Sequence, residues 1–382
     1  MSPNFRTAPL NPRAASRRTS SQVTSRTATF ADYEQIAALE RRYKLVTKTY
    51  DDWIHLWTAN PVYKQLGHDW PIGWVLEVDN KIVGHFGNIP LGYELEGDAI
   101  LAASGRAWVV DAEYRGYSIL LLDHFLHQSQ VDLFLNTTAN AEAYSAFLAF
   151  GAYRVPVGSW DRTAMWICQY SNPVRAWLRE KRVPQSGLIR YPLSACLFAR
   201  DLAVNSLLSA ARTRYEVVPC TSFDERFETF WAALRKKRSK LLVAVRSQEA
   251  LAWHFYSALR NNKLWILTLS KKSQIIAYSV FLTQQNRSGQ KLVLLADLQT
   301  LDDSRALPGA MLSFALHQCR QHGIDLLIDI GLCLGNGIGK RAPYKRTREW
   351  SYLYQVQRQC LAHTLSNAAV WAPSVFDGDA TL

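Results

Sequence analysis

The chain has 382 residues, of which 48% are hydrophobic, 12% aromatic and 20% charged. This composition is typical of a folded globular protein and excludes a mainly disordered chain. The 44 basic residues outnumber the 32 acidic ones and give a formal net charge of +12, which favours partners that carry phosphate or other negative charge.

The cysteines and the apolar windows narrow the class of protein further. The six cysteines lie far apart and form no CxxC pair, which predicts reduced thiols in a cytoplasmic protein and no metal site. The most apolar window, residues 193–211, contains Arg200 and Asp201, so we expect no membrane-spanning helix. The basic residues follow no zinc-finger, RNP-like or heptad pattern, and we do not expect a reader of nucleic-acid bases.

Residues 1–25 are rich in Ser, Thr, Arg and Pro and contain no acidic residue. Because they have no apolar stripe, we predict a disordered basic tail. The segment lacks the apolar centre of a secretory signal. Its Arg and Ser content leaves an organellar transit peptide as an alternative.

A regular alternation of strands and helices begins at Arg26. Asp32 can cap a helix whose apolar residues, from Ile36 to Tyr43, recur with helical period. The elements predicted around and after it are a strand over residues 26–30, a helix over 50–63, a hairpin of 70–78 and 81–86, a strand over 100–110, a loop over 111–117, a helix over 118–128, a strand over 131–137 and a helix over 140–150. This order predicts a mixed α/β domain of the α+β type.

Two of these segments carry the chemistry. The loop after the strand over 100–110 holds Arg115 and Gly116, and a helix opens directly behind it. Unpaired N–H groups at a helix start, the helix dipole and a guanidinium together suit a pyrophosphate, with an ordinary strand-to-helix turn as the alternative. In the last helix Asn140 is a good N-cap and Gly151 a natural terminator.

Four segments in this order resemble the GNAT acetyltransferase superfamily, and the resemblance covers residues 26–170. They are the opening Arg26-x-Ala28-Thr29-x-x-Asp32-x-x-x-Ile36-x-x-Leu39, the strand Lys81-Ile-Val-Gly84, the Tyr114-Arg115-Gly116 that begins the family's (Gln/Arg)-x-x-Gly-x-(Gly/Ala) phosphate loop, and Asn140-x-x-Ala143-x-x-x-Phe147-x-x-x-Gly151. The family's late helix reads Asn-x-x-Ala-x-x-x-Tyr-x-x-x-Gly.

The resemblance implies a splayed, mostly antiparallel sheet that binds acetyl-CoA or another acyl-CoA between two central strands. It implies that the cosubstrate contacts the end of the strand at Trp108, Val109 and Val110. It further implies contacts with the helix that begins at Asn140, at Asn140 and Phe147. The contacts implied for the loop and the helix start are Arg115, Gly116, Tyr117, Ser118, Ile119 and Leu120. The other partner is an amine-bearing acceptor, whose amine attacks the thioester directly. No metal is implied.

The chain departs from the family pattern at several positions. Ser118 and Leu120 replace small residues of the phosphate loop, and Phe147 replaces a tyrosine that protonates the departing thiolate in many relatives. Tyr144, three residues earlier, is the candidate acid, with simple packing as the alternative. The candidate bases lie on neighbouring segments and are Glu94, Glu96 and His85.

The order of elements partly recurs at a period of roughly 190 residues, which predicts two copies of one fold. After connector helices over residues 174–181 and 193–211, the expected elements are a strand over 215–219, helices over 224–235 and 248–259, a hairpin of 264–269 and 274–282, a strand over 291–298, a helix over 307–322 and a strand over 324–330. Asp302 and Asp303 replace the phosphate loop there and would repel a pyrophosphate. Residues 335–340 are glycine-rich but not a P-loop, and we predict a surface turn.

The predicted organisation is a disordered tail (1–25), a GNAT-like acyl-CoA-binding domain (26–170), a helical connector (171–213), a second, degenerate GNAT-like domain (214–358) and a C-terminal tail (359–382). The predicted activity is transfer of an acyl group, with acetyl preferred, from acyl-CoA to an amine. The second half also resembles Fem-like transferases, which leaves an aminoacyl or long-chain acyl donor as an alternative. Two further alternatives are a catalytically inactive ligand-binding protein and a protein that binds nucleic acid through the basic tail.

Overall fold

The computed structural model describes residues 22–183, 186–212, 215–286, 288–302, 304, 306–331, 334, 342–347 and 351–382. Most of the predicted tail, residues 1–21, lies outside this range, as do Asp303 and the glycine-rich residues 335–340. Thr24 and Ser25, which we placed in the tail, pair with Glu77 and Leu76. The first strand therefore begins two residues earlier than predicted.

The first sheet is built around two long strands that form a hairpin. In spatial order it comprises β1 (Thr24–Thr27), β2 (Gly73–Val78), β3 (Lys81–Leu95), β4 (Asp98–Val110), β5 (Leu133–Asn136), β15 (Leu353–Val356) and β6 (Tyr153–Arg154), and β9 (Val243–Ala244) adds to β3. Neighbouring strands are antiparallel, except for the parallel pair β4 and β5.

The second sheet repeats this plan. In spatial order it comprises β14 (Tyr344–Thr347), β7 (Arg162–Ile167), β13 (Leu326–Ile330), β12 (Lys291–Thr300), β11 (Gln274–Gln285), β10 (Leu264–Lys271) and β8 (Val217–Cys220). Its parallel pair is β12 with β13. The predicted fold class is confirmed, because both sheets are mostly antiparallel and are flanked by helices.

Most helices lie where the sequence predicts them. The second connector helix, however, begins at Ser186 and not at residue 193, the helix predicted over 248–259 is divided at Phe255, and a further helix lies within the predicted C-terminal tail. The helices are α1 (Tyr33–Arg42), α2 (Tyr50–Thr58), α3 (Pro61–Leu66), α4 (Ser118–Leu126), α5 (Ala141–Ala149), α6 (Ser171–Glu180), α7 (Ser186–Arg212), α8 (Glu225–Lys237), α9 (Gln248–His254), α10 (Tyr256–Arg260), α11 (Ala306–Gln321) and α12 (Gln359–Leu365). The single helix predicted over residues 50–63 is two helices. Asn60 accepts hydrogen bonds from the N–H groups of Val62 and Tyr63, and Pro61 starts a new helix.

The two halves of the chain exchange strands. Strand β7 belongs to the first half of the chain but lies in the second sheet, between β14 and β13. Strand β15 belongs to the second half but lies in the first sheet, between β5 and β6. Each sheet is thus completed by the other half, so the domain limits predicted at residues 170 and 214 do not separate the two sheets.

The C-terminal segment is buried. After α12, Val375, Phe376 and Asp377 are each about 5% exposed, in a region where the sequence predicts only a tail. One large cluster of buried apolar side chains extends from the first sheet to this segment. Among the described residues, no helix combines the length and the apolar character that a membrane crossing requires.

Candidate active site

Strands β4 and β5 part after a short parallel pairing. Only Ala102–Ser104 pairs with Leu133–Leu135. Beyond that point, residues 105–110 of β4 pair only with β3 among the described residues. The pairing with β3 shifts register near His85, and Ala107 adopts a positive φ of 51°, so β4 carries a β-bulge here. This opening leaves a backbone edge on which an extended, amide-containing ligand can pair.

The loop at the end of β4 is a 3-10 turn over Ala112–Tyr117 that leads directly into α4. Some of the amides that we expected to be unpaired are occupied: the N–H of Ser118 donates to the carbonyl of Arg115, and the N–H of Tyr114 donates to that of Asp111 (2.9 Å). Arg115 and Gly116 are exposed, and a Cβ built on Gly116 would meet nothing within 4 Å. No side chain from the described part of the chain fills this place.

Helix α1 holds the start of this loop in position. Arg42 donates to both carboxylate oxygens of Asp111, at 2.7 and 2.6 Å. The hydroxyl of Tyr43 accepts a hydrogen bond from the N–H of Ala112 at 2.9 Å. The loop is therefore fixed relative to the face of the sheet that α1 covers.

Aromatic side chains line the opposite face of the opening. The ring of Trp108 lies 5.3 Å from that of Phe86 and 6.0 Å from that of Phe147. Phe147 is buried in this cluster, so it packs in place of the expected tyrosine. Asn140 caps α5 as predicted, accepting the N–H of Ala143 at 2.8 Å, and Tyr144 is half-buried against the core.

Several charged side chains lie close together on the face of the first sheet that α1 covers, and the sequence did not predict them as site residues. Arg106 lies on β4 at the bulge and interacts electrostatically with Glu40 of α1 and with Lys48. Glu40 is 2% exposed. Its burial raises its pKa, although Arg106 and Lys48 partly offset the rise. Burial, with a contribution from Arg106, lowers the pKa of Lys48 to about 8.

Among the predicted bases, His85 lies on this face but is poorly suited to the task. A Cβ built on Gly87 would lie 3.5 Å from the ring of His85 and 3.6 Å from the Cβ of Arg106, so these residues adjoin. Burial, followed by the charge of Arg106, lowers the pKa of His85 to about 3. The Ala107 carbonyl lies near the ring, but neither ring nitrogen has a partner with hydrogen-bond geometry. His85 is therefore a neutral, weakly basic core residue.

We expect two buried histidines, His85 and His254 at the end of α9, to make the stability of the fold sensitive to acid. An unfolded histidine binds its proton near pH 6.5, whereas folded His85 and His254 do so only near pH 3. The unfolded state binds more protons between these values, so stability falls as the pH drops, by about 1.4 kcal/mol per pH unit for each histidine. Urea unfolding at about pH 7.5 and about pH 5 measures the loss. A His85→Leu variant should lose less; an equal loss would contradict this account.

Glu94 lies at the other end of the hairpin. It pairs in register with Ala99 of β4 and forms an ion pair with Arg235 at 3.4 Å. Ala99 and Arg106 are separated by seven strand residues, or ~23 Å. Glu96 is exposed in the hairpin turn itself. Neither glutamate is part of the opening, because the long hairpin carries both away from the bulge.

The C-terminal segment contributes a second buried carboxylate. Asp379 accepts hydrogen bonds from the hydroxyls of Thr137 and Thr138, each at 3.0 Å, just beyond the end of β5. Burial raises its pKa, and Arg106 and the two threonines oppose the rise.

In the sequence, Glu40 offered one weak signal of a buried charged residue, since it occupies the apolar stripe of α1, four residues after Ile36. Asp379 offered none.

The second sheet has a comparable opening, but this chain fills it. Its parallel strands pair only over Leu292–Leu294 and Leu326–Ile328. The N–H of Phe376 donates to the carbonyl of Ala296 at 2.9 Å, on β12 just beyond this pairing. The C-terminal segment thus occupies this edge in the second sheet, whereas no described residue pairs with the equivalent edge of β4 in the first sheet.

No family model matches the sequence, and no curated protein matches it. Solved structures match its shape. A GCN5-related N-acetyltransferase from Anabaena variabilis is 14% identical, with 89% of this chain and 74% of that one covered at a TM-score of 0.53. A probable N-acyltransferase from Enterococcus faecalis is 9% identical (88% and 73%, TM-score 0.55). N-myristoyltransferase of Saccharomyces cerevisiae with bound myristoyl-CoA is 11% identical (92% and 83%, TM-score 0.51). The chain therefore has the fold of the GCN5-related N-acetyltransferases.

Proposed function

We propose that this protein is an acyl-CoA-dependent N-acyltransferase whose donor site is the opening between β4 and β5. The contrast between the two openings carries the proposal. Among the described residues, the strand edge in the first sheet has no partner and adjoins an exposed loop whose Arg115 has no ion-pair partner, whereas in the second sheet Phe376 pairs with the equivalent edge. A diphosphate would meet Arg115 beside the helix start, and the pantetheine amides would pair with β4.

The acceptor amine would approach from the face covered by α1. The carboxylate of Glu40 takes a proton from the incoming ammonium, and the amine nitrogen then attacks the thioester carbonyl carbon. As the new C–N bond forms, the carbonyl oxygen becomes an oxyanion. Its collapse breaks the C–S bond, and the departing thiolate takes the phenolic proton of Tyr144. The attacking nitrogen releases its second proton to water as the amide forms, and a proton from water restores the phenol. The positive charge of Arg106, near the bulge, stabilises the developing negative charge.

Arg115→Glu should weaken acyl-CoA binding about 100-fold, because a charge-assisted hydrogen bond is replaced by repulsion. Isothermal titration calorimetry with acetyl-CoA measures the change. Arg320→Glu is the matched control, since Arg320 is exposed on α11 in the second half of the chain. Equal affinity in wild type and Arg115→Glu would defeat the proposed donor site.

A long-chain acyl donor is the second candidate. A cavity of about 410 Å³ lies between α3, the β3–β4 hairpin and α9, and is lined mainly by apolar side chains, with Phe376 and Gly378 at its edge. Its size is that of a small-molecule site. The bound myristoyl-CoA of the yeast neighbour supports the same idea. Tighter binding of myristoyl-CoA than of acetyl-CoA would identify a long-chain acyl-CoA as the donor. A protein that uses a Fem-like aminoacyl donor would need neither acyl-CoA.

Release of free thiol with a panel of amines distinguishes an enzyme from an inactive binding protein. A protein that binds acyl-CoA but releases no thiol above the background rate with any amine would be a ligand-binding protein. Thiol release that depends on an amine would establish transfer, and the preferred amine would identify the acceptor class.

A further inference from the structure

Helix α7 exposes an apolar face over its first half. The exposed positions recur at the spacing of one helix face and include Leu188, Tyr191, Pro192, Ala195, Phe198 and Ala199. Leu188 is 77% exposed, Tyr191 60% and Phe198 52%. None of these residues is charged.

The other side of α7 packs on the protein through half-buried Leu193 and Leu197 and through the buried Asp201, and the ring of Phe198 contacts that of Tyr170 at its edge, at 5.6 Å. Asp201 is 1% exposed, accepts a hydrogen bond from the Tyr170 hydroxyl at 3.0 Å and pairs with Arg200. Helix α11 also packs against α7. An ordinary surface helix exposes a polar face to solvent, whereas the outer face of α7 is apolar over residues 188–199. An apolar face of this length exposed on a folded protein marks an interaction surface.

The neighbouring helix supplies positive charge. Helix α6 and the residues that follow it carry four exposed basic side chains, Arg175, Arg179, Lys181 and Arg182. Within the part of the chain that the structure describes, none has an acidic partner within ion-pair distance. Residues 171–200 contain six basic residues and one acidic residue, Glu180. Trp177, between the arginines, is 50% exposed.

We propose that the hairpin of α6 and α7 docks on an anionic membrane surface. The apolar face of α7 would lie at the boundary between headgroups and acyl chains, and the cations of α6 would bind lipid phosphates. Exposed Trp177 and Tyr191 suit the headgroup level, where amphipathic rings are enriched. Because the inner side of α7 is fixed to α11, the helix lies on the membrane and does not cross it.

The charges argue against a second copy of this chain as the partner. A symmetric pair would bring the same unpaired cations of both copies to one interface, where like charges repel. An anionic lipid surface supplies both an apolar layer and the missing negative charge. This inference does not rest on the acyl transfer proposed above.

The test is sedimentation of the full chain with vesicles of phosphatidylcholine alone and of phosphatidylcholine mixed with phosphatidylserine. We expect binding only to the anionic vesicles. Arg175→Ala combined with Arg179→Ala should weaken this binding about 30-fold, at about 1 kcal/mol for each cation, and Leu188→Asp should also weaken it. The matched control is Lys236→Ala with Lys240→Ala, one exposed lysine of α8 and one shortly after it, which should leave the binding within about twofold.

Circular dichroism checks that the variants are folded. We expect them to fold, because every substituted residue is exposed. Absence of binding to anionic vesicles would overturn the proposal. So would unchanged binding of the Arg175/Arg179 and Leu188 variants, since it would place the contact on another basic region. A dimer in analytical ultracentrifugation that Leu188→Asp dissociates would show that a second copy covers the face, and would overturn it as well.

Discussion

Glu40→Gln is expected to lower kcat about 10²- to 10⁴-fold, the range typical of losing a general base. Glutamine keeps the size of the side chain and its hydrogen-bonding oxygen, but it cannot take a proton from an ammonium group. Glu40 suits this role because it is buried beside Arg106 and its carboxylate makes no hydrogen bond among the described residues. Steady-state thiol release with the preferred amine measures the loss.

The same residue predicts the acid side of the pH profile. Burial raises the pKa of Glu40 above its ordinary value, and the base must be ionised to act. Activity should therefore fall as the pH drops through this raised pKa, at a higher pH than an ordinary carboxyl would give. A profile of kcat/KM against pH shows this limb in the wild type, and Glu40→Gln should lack it.

Asp379→Asn is the matched control, because Asp379 is the other buried carboxylate that interacts with Arg106. The hydroxyls of Thr137 and Thr138 already occupy its oxygens, and an amide oxygen can still accept them. We expect less than about a tenfold loss of kcat. A larger loss in Asp379→Asn than in Glu40→Gln would transfer the role of base to the C-terminal segment.

Arg246→Ala should destabilise the fold by about 3–5 kcal/mol, since it leaves buried charges without a partner. Arg246 is 1% exposed and donates to both oxygens of Asp297, at 2.9 and 3.0 Å. It also donates to Ser374 (3.0 Å) and Asp377 (3.3 Å) of the C-terminal segment. Burial alone would raise the pKa of Asp297, but the guanidinium outweighs it and lowers that pKa.

Urea unfolding followed by circular dichroism measures this effect, with Arg226→Ala as the control. Arg226 pairs with Asp224 at 2.8 Å, but both side chains are 43% exposed, and such pairs contribute less than about 1 kcal/mol. Similar losses in the two variants would contradict a structural role for the buried network. Because the network fixes Ser374 and Asp377, Arg246→Ala should also loosen the segment that fills the second opening.

Sequence reasoning succeeded where the signal is local. The helical period from Ile36, the cap at Asn140 and the turn before Lys81 each depend on residues that are close in the chain, and all three elements form as predicted. The mixed α/β class follows from the order of such elements, and the splayed sheets follow from the resemblance to the GNAT superfamily. The exposure of Arg115 and Gly116 agrees with the predicted loop, but their contact with a cosubstrate stays a prediction.

It failed where partners are distant in sequence. Glu40, Lys48, Arg106 and Asp379 come from four separate segments, and no spacing connects them. Glu94 and His85, the candidate bases on segments next to the presumed catalytic strand, both lie on β3. Their position along β3 decides their environment: Glu94 lies ~23 Å along the hairpin, and His85 is enclosed beside Arg106. The short strands β7 and β15 carry too few residues for a period to identify their sheet.

The sequence by itself determined the elements, their order and the loop that precedes α4, because hydrophobic period, caps and turn residues act between neighbours in the chain. Only the tertiary structure decided which opening is free, which carboxylates share a site, and that each sheet takes a strand from the other half. Those outcomes depend on burial and on charges brought together by long-range packing, which raise or lower a pKa and occupy or expose a strand edge after the chain has folded.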